Sequence, residues 1–317
     1  MPRRRRIVCP GEIHHVISRS IDGIEIFTND LERSKFISSL GTLITKTDCM
    51  CYAWSIMPNH YHLVLRPLGD SLSTLMRRLN GSYARYFNRR HNRRGYLFQD
   101  RFKSIATQRH DYLCELIRYV HLNPIRAGLV KTLKMLETYR WCGHGAMMGC
   151  QNVPWQSVNE ALWRFANQKK KAREAYVKFL KAGLMDSSQH KDSLISLLQK
   201  SKFGSDNAVP DADDRLIGDA DFIRKAIAKA EYDIRSHAKY RTARPTLKAI
   251  SQQIGKKMHI DPHEIFSKGR NNKRAEFRVR FFKQAVRKYG YKACEIAAFL
   301  GITPGAVSKT IYAKENT

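Results

Sequence analysis

Met57-Pro58-Asn59-His60-Tyr61-His62-Leu63-Val64-Leu65 is the stretch on which the N-terminal half of this chain turns. It opens on a turn at Pro58-Asn59, passes through polar–apolar alternation and ends in a short apolar run, the pattern of a strand entered from a turn. Successive side chains on a strand point to opposite faces, so His60 and His62 share one face and Tyr61 takes the other. Two imidazoles about 7 Å apart along a strand can hold one metal ion between them but cannot fill its coordination sphere. Further ligands must come from another element. Taken alone, a His-x-His pair is more often a half-buried polar pair than a metal site.

Working outward, residues 50–56 form the preceding strand and 60–66 the next, joined into a hairpin through Met57-Pro58-Asn59. Ile13–Arg19 reads as a first strand. Between the first two strands, Asp30 can cap a helix whose apolar positions are Leu31, Phe36, Leu40, Leu43 and Ile44. After the hairpin, Ser71 caps a helix with Leu72, Leu75, Met76, Leu79, Tyr83 and Phe87 on its apolar stripe and Arg77, Arg78, Arg85, Arg89 and Arg90 elsewhere. A basic loop through Arg93, Arg94 and Gly95 leads to a fourth strand at 102–108. Asp111 opens a helix that buries Leu113, Leu116, Ile117 and Val120 and ends at Asn123-Pro124, because a residue before proline disfavours the helical region. The order β-α-β-β-α-β-α predicts an α+β fold, an antiparallel sheet with helices on one face.

On the last of these helices Tyr119 sits at the border of the apolar face, and Asn123, four residues on, lies above it on the same stripe. One helix can thus bring a phenol and an amide oxygen to the histidine pair. The oxygen would help complete a His-His-oxygen site with open positions. A metal there polarises a phosphodiester, and a tyrosine can attack its phosphorus. Packing is the ordinary role of a border tyrosine, and spacing does not select Tyr119 over Tyr112, Tyr83 or Tyr86.

The charge gives this chemistry a substrate. Lys and Arg number 57 against 28 Asp and Glu, a net charge of +29 in 317 residues. Such an excess calls for an anionic partner, nucleic acid or an acidic membrane surface. No stretch reaches the apolar length of a membrane span. The N-terminal Arg3-Arg4-Arg5-Arg6 has no signal-peptide core after it, and reads as a phosphate-binding arm or a solvated tail. Seven cysteines with no Cys-x-x-Cys pair argue against disulfides and a zinc ribbon, and for a reducing cytoplasm.

Past Gly149 the pattern becomes helical, with Trp155, Leu162, Trp163, Phe165, Tyr176, Phe179 and Leu180 and a basic run at 168–173. Residues 187–214 are polar and read as a linker. Helices are expected at 219–230 and 273–289. Ala293–Leu300, the turn Gly301-Ile302, and a helix capped by Thr303 with Pro304 at its first position give helix-turn-helix spacing. In that motif Ser308 and Lys309 would face DNA. The organisation expected is a domain at 1–145, a helical connector at 146–240 and a helix-turn-helix domain at 241–317.

Five segments carry a resemblance. They are His14-His15-Val16-Ile17-Ser18-Arg19, Met57-Pro58-Asn59-His60-Tyr61-His62-Leu63, Tyr83-Ala84-Arg85-Tyr86-Phe87-Asn88, Gly95-Tyr96-Leu97-Phe98-Gln99-Asp100-Arg101-Phe102 and Arg118-Tyr119-Val120-His121-Leu122-Asn123-Pro124-Ile125-Arg126-Ala127-Gly128. In this order they resemble the IS200-like single-tyrosine transposases and, within them, the REP-associated branch. The resemblance implies a ferredoxin-like HUH nuclease domain in which His60 and His62 match the metal ligands, Asn123 the third-ligand position and Tyr119 the nucleophile. It implies Mg²⁺ or Mn²⁺ and a 5′-phosphotyrosine intermediate on single-stranded, hairpin-forming DNA, in a protein acting as a homodimer or a monomer. Where the family often shows Trp-Ser-Ser, this chain has Trp141-Cys142-Gly143. The tail also resembles the C-terminal DNA-binding domain of the replication initiator DnaA. Arg93, Arg94, Arg101 and Lys103 are candidate phosphate contacts, and Tyr96 and Phe98 can stack bases or pack the loop. Glu115, one turn before Tyr119, is a candidate base. The rival readings are a non-catalytic DNA-binding regulator and an RNA-binding protein.

Overall fold

The computed structural model describes residues 7–69, 72–108, 111–185, 215–266 and 272–312. It divides into two compact units, Met1–Ala230 and Glu231–Thr317. The basic arm, the Ser71 cap and the polar stretch 187–214 lie outside the described residues.

The first unit is built on β1 (Ile13–Arg19), α1 (Asp30–Thr45), β2 (Cys49–Met57), β3 (His60–Pro67), α2 (Leu72–Arg90), β4 (Lys103–Thr107) and α3 (Asp111–Arg126). A two-residue fifth strand, β5 (Leu216–Ile217), completes a sheet of order β2-β3-β1-β4-β5. The first four strands are antiparallel, with α1 and α2 as the two crossovers, which is the ferredoxin-like arrangement expected. β5 runs parallel to β4, so the sheet is mixed, a feature too short to leave a periodic signal.

The helices do not all lie on one face. α1 and α2 cover one side, packing Phe36, Leu40, Leu75 and Leu79 against Val16, Trp54, Tyr61 and Leu63. α3 covers the other, with Leu113, Leu116, Ile117 and Val120 on Tyr52, Ala53 and Val64. The central strands are buried on both faces, so the sheet is covered on both. β2 feeds both cores by alternation, and a bulge between Cys51 and Ala53 sets Tyr52 and Ala53 together in the core under α3.

Two helix ends differ from the reading above. Asn29, one residue before Asp30, caps α1 by accepting from the Glu32 amide, and Leu31 is exposed. α3 continues through Pro124 to Arg126, although a proline inside a helix loses its N–H bond and crowds the carbonyl four residues back. The Asn123 side-chain amide donates to the Tyr119 carbonyl at that point.

Four more helices, α4 (Leu133–Thr138), α5 (His144–Met148), α6 (Val158–Leu162) and α7 (Lys169–Met185), extend this unit past residue 145. Leu162, Ala172, Tyr176 and Leu180 join the core under α3. α8 (Ala220–Ala243) sets Ile223 and Ala226 against Ile7, Cys9, Ala106 and Leu216. A polar lock ties α7 to α3 and α5: the Tyr176 hydroxyl lies 2.7 Å from Nδ1 of both His121 and His144. All three side chains are buried. The hydroxyl donates to one ring and accepts from the other, so the two imidazoles hold opposite tautomers at Nδ1. Tyr176→Phe would orphan both nitrogens at about 1–3 kcal/mol each. Urea unfolding is therefore expected to show a loss of about 2–5 kcal/mol; a loss under about 0.5 kcal/mol would mean the lock contributes nothing.

The second unit packs α9 (Leu247–Met258), α10 (Asn272–Lys283), α11 (Ala293–Leu300) and α12 (Pro304–Tyr312) around Ile250, Phe277, Phe281, Ile296 and Val307. The helix expected at 273–289 is α10 followed by a π turn at Gln284–Lys288. Gly301, at φ 65°, ends α11 in the left-handed region that glycine tolerates. Thr303 then caps α12 by accepting from the Ala306 amide.

Candidate active site

β3 enters from the Pro58-Asn59 turn and carries His60 and His62 on the face covered by α3, while Tyr61 points into the opposite core. The two imidazole centroids are 5.0 Å apart. Antiparallel pairing sets Arg19 of β1 opposite His60 and Ile17 opposite His62, and sets Lys103 of β4 opposite Ile17. Residues opposite one another share a face, so Arg19 and Lys103 lie on the histidine side of the sheet.

α3 supplies the rest. The ring of half-buried Tyr119 stands edge-on to His62 at 5.7 Å and to His15 at 5.6 Å between centroids. The Arg126 guanidinium lies 5.6 Å from the Tyr119 ring centroid. Asn123 donates its amide nitrogen to the Tyr119 carbonyl, which leaves the amide oxygen as the end available to a cation. The tyrosines that spacing could not separate are now separated. Tyr83 belongs to the opposite core and donates to the Ile26 carbonyl, Tyr86 packs beside it, and Tyr112 is buried under α3's core face. Glu115 pairs with Arg118.

Burial dominates the electrostatics. It lowers the His60 pKa to about 4, assisted by Arg19. It drives His62 well below the usual imidazole range, assisted by His15, His60 and Arg19. Both rings are therefore neutral at pH 7, the state in which imidazole ligates metals. Burial also raises the Tyr119 phenol, with Arg126 and then Arg19 pulling the other way. Among the described residues, no three His, Cys, Asp or Glu are grouped to hold a metal, so two neutral imidazoles would need oxygen donors beside them. The Asn123 amide is of the right class.

The basic candidates divide. Lys103 lies on the histidine face. Arg94 and Arg101 are exposed, and Arg93 bonds the Tyr96 carbonyl within the loop. This loop and α2 line a groove with Arg77, Asn80, Tyr96 and Arg101 on its walls. Tyr96 is 84% exposed, whereas Phe98 packs onto Tyr61. In the second unit Ser308 is half-buried, and the Lys309 side chain is outside what is described. Sequence reasoning gave no role to His15, Arg19 or Arg126. Arg126 was legible at two helical turns from Tyr119, but the other two depend on strand pairing.

No helix of the described residues is long and apolar enough to cross a membrane. No curated protein matches the chain. One solved structure, described as "Structure of the REP associates tyrosine transposase bound to a REP hairpin", is similar at 17% identity and a TM-score of 0.39, over 50% of this chain and 92% of that one. Residues 12–123 match the sequence model of the family described as "Transposase IS200 like". That match covers about a third of the chain, from β1 into α3, and takes in His15, His60, His62, Tyr119 and Asn123.

Proposed function

We propose that this chain cleaves and rejoins single-stranded DNA, with Tyr119 as nucleophile and His60, His62 and Asn123 holding one divalent cation, Mg²⁺ or Mn²⁺. The observation that carries the reading is the edge-on placement of the Tyr119 ring against His62, whose imidazole is neutral. Bound there, the cation would polarise the scissile phosphate and offset the charge that develops on it.

The chain's own groups account for the remaining steps. His60 and His62 face the same side of the sheet because they alternate along one strand. Arg126 and Arg19 favour the phenolate that burial opposes. The tyrosine oxygen bonds to phosphorus as its proton is lost. The bond from phosphorus to the 3′ oxygen breaks, and that oxygen leaves as a hydroxyl after taking up a proton. The reverse reaction uses the same 3′ hydroxyl to expel tyrosine, so strands are rejoined without ATP. Glu115, one turn before Tyr119, is ion-paired with Arg118.

The DNA path takes Lys103 as a phosphate contact beside the histidines and Arg93, Arg94 and Arg101 along the loop, with exposed Tyr96 stacking an unpaired base. The α11–α12 pair acts as a helix-turn-helix, with Ser308 and Lys309 as its candidate contacts to duplex DNA.

A labelled hairpin oligonucleotide with a single-stranded flank tests the assignment. With Mn²⁺ present, denaturing electrophoresis is expected to show a covalent protein–DNA adduct. EDTA or His62→Ala should reduce it at least about 100-fold. Tight binding to the hairpin with no adduct under any metal would favour the non-catalytic regulator, and tighter binding to RNA of the same sequence would favour the RNA-binding reading.

A further inference from the structure

His15, one of two buried histidines on β1, has no part in the scheme above, yet it touches its centre. His15 and His62 sit diagonally on adjacent strands, since His15 pairs with Val64 and Ile17 with His62. Nε2 of His15 lies 3.0 Å from Nδ1 of His62. The ring planes are 8° apart and the centroids 5.2 Å apart. The centroid separation exceeds the nitrogen–nitrogen distance by nearly two ring radii. The rings are therefore edge to edge and nearly coplanar, with the hydrogen bond along the direction in which lone pair and N–H lie.

One proton occupies that bond, and its owner decides what His62 can do. If His15 donates, His62 carries its own proton on Nε2 and presents no lone pair there. If His62 donates from Nδ1, its Nε2 is a bare lone pair. His60 shows which arrangement the site is built for. Its Nδ1 lies 2.7 Å from Oδ1 of Asn59, whose Nδ2 donates to the Gly23 carbonyl. The amide oxygen can only accept, so His60 is protonated on Nδ1 and bare on Nε2.

We infer that His15 is the matching partner for His62: it accepts the Nδ1 proton of His62 through Nε2 and so holds His62, like His60, in the tautomer whose Nε2 is free to ligate. Ligating histidines are oriented this way by an acceptor at their second nitrogen. The arrangement has a cost at the far side of His15, where Nδ1 is buried with no hydrogen-bond partner. His15 is therefore a positioning residue and not a third ligand, since its Nε2 is committed to His62. The inference rests on reading His62 as a ligand, and its test separates the two.

The metal-free full chain, labelled with ¹⁵N-histidine, reports the tautomer directly by two-bond proton–nitrogen correlation, with His62 assigned through His62→Gln. The wild type is expected to carry the His62 proton on Nδ1. His15→Phe should move it to Nε2 and weaken Mn²⁺ binding by about 10- to 100-fold. His15→Gln, whose side-chain oxygen can accept, should keep the Nδ1 proton and most of the affinity. A wild-type proton on Nε2, or a His15→Phe protein with unchanged tautomer and Mn²⁺ affinity, would overturn the inference. A wild type with the stated tautomer that binds no Mn²⁺ upholds the inference and removes the metal reading. Circular dichroism confirms that each variant is folded, and His15→Gln decides the matter if His15→Phe is not.

Discussion

In a Tyr119→Phe protein the covalent DNA adduct is expected to disappear, with cleavage reduced at least about 10³-fold. The substitution removes one oxygen and leaves the ring. Its contacts with His15, His62 and Arg126 are ring contacts, so they survive. Stability should change by no more than about 0.5 kcal/mol, and hairpin affinity should stay within about twofold, because phosphate-contacting cations supply most of such binding. Tyr86→Phe, on the opposite side of the sheet, is the control and should cleave as the wild type does. An adduct that persists in Tyr119→Phe would remove the nucleophile assignment, whatever the metal does.

Mild acid is expected to unfold the first unit. His14, His15, His62, His121 and His144 are all buried. Burial lowers His14 and His144 to about 4 and His15 to about 3. It takes His62 and His121 well below the usual range. The unfolded chain binds a proton at each of these near pH 6.5, and the folded chain does not. The unfolded state therefore holds more protons at any pH between the two values, so stability is complete above pH 6.5 and falls as pH drops towards 4. An imidazole that stays neutral in the fold costs about 1.4 kcal/mol per pH unit in that window, and the coupled pairs His15–His62 and His121–His144 titrate as pairs, so their costs do not simply add. Thermal unfolding followed from pH 7.5 to pH 4.5 should show a steep loss of Tm below about pH 6.5. A flat profile down to pH 5 would mean that these rings can protonate in place.

Much of the fold could be read from local pattern. β1 was placed residue for residue at Ile13–Arg19, and α2's apolar stripe buried all six residues named for it. Both succeed because one face of each element is consistently apolar. The failures share a different cause. Leu31 is apolar by type but exposed, and the cap moved to Asn29, because where α1 starts depends on the Glu32 side chain folding back to Thr28. Helices on both sheet faces were missed because a continuous apolar run says that a strand is covered, not by how many layers.

For the site, the chain by itself determined that His60 and His62 share a face and that Asn123 stands one turn above Tyr119. Both follow from the periods of strand and helix, which are local. Spacing alone could not say which tyrosine meets the histidines; the resemblance pointed to Tyr119, and the tertiary structure sets its ring against them, because Tyr83, Tyr86, Tyr112 and Tyr119 differ in the core they enter and not in their spacing. Only the tertiary structure brought His15 to His62 and Arg19 to His60. Those neighbours are set by the hydrogen-bond register between β1 and β3, segments more than forty residues apart in sequence, and a one-residue slip in that register would turn every one of these side chains to the other face.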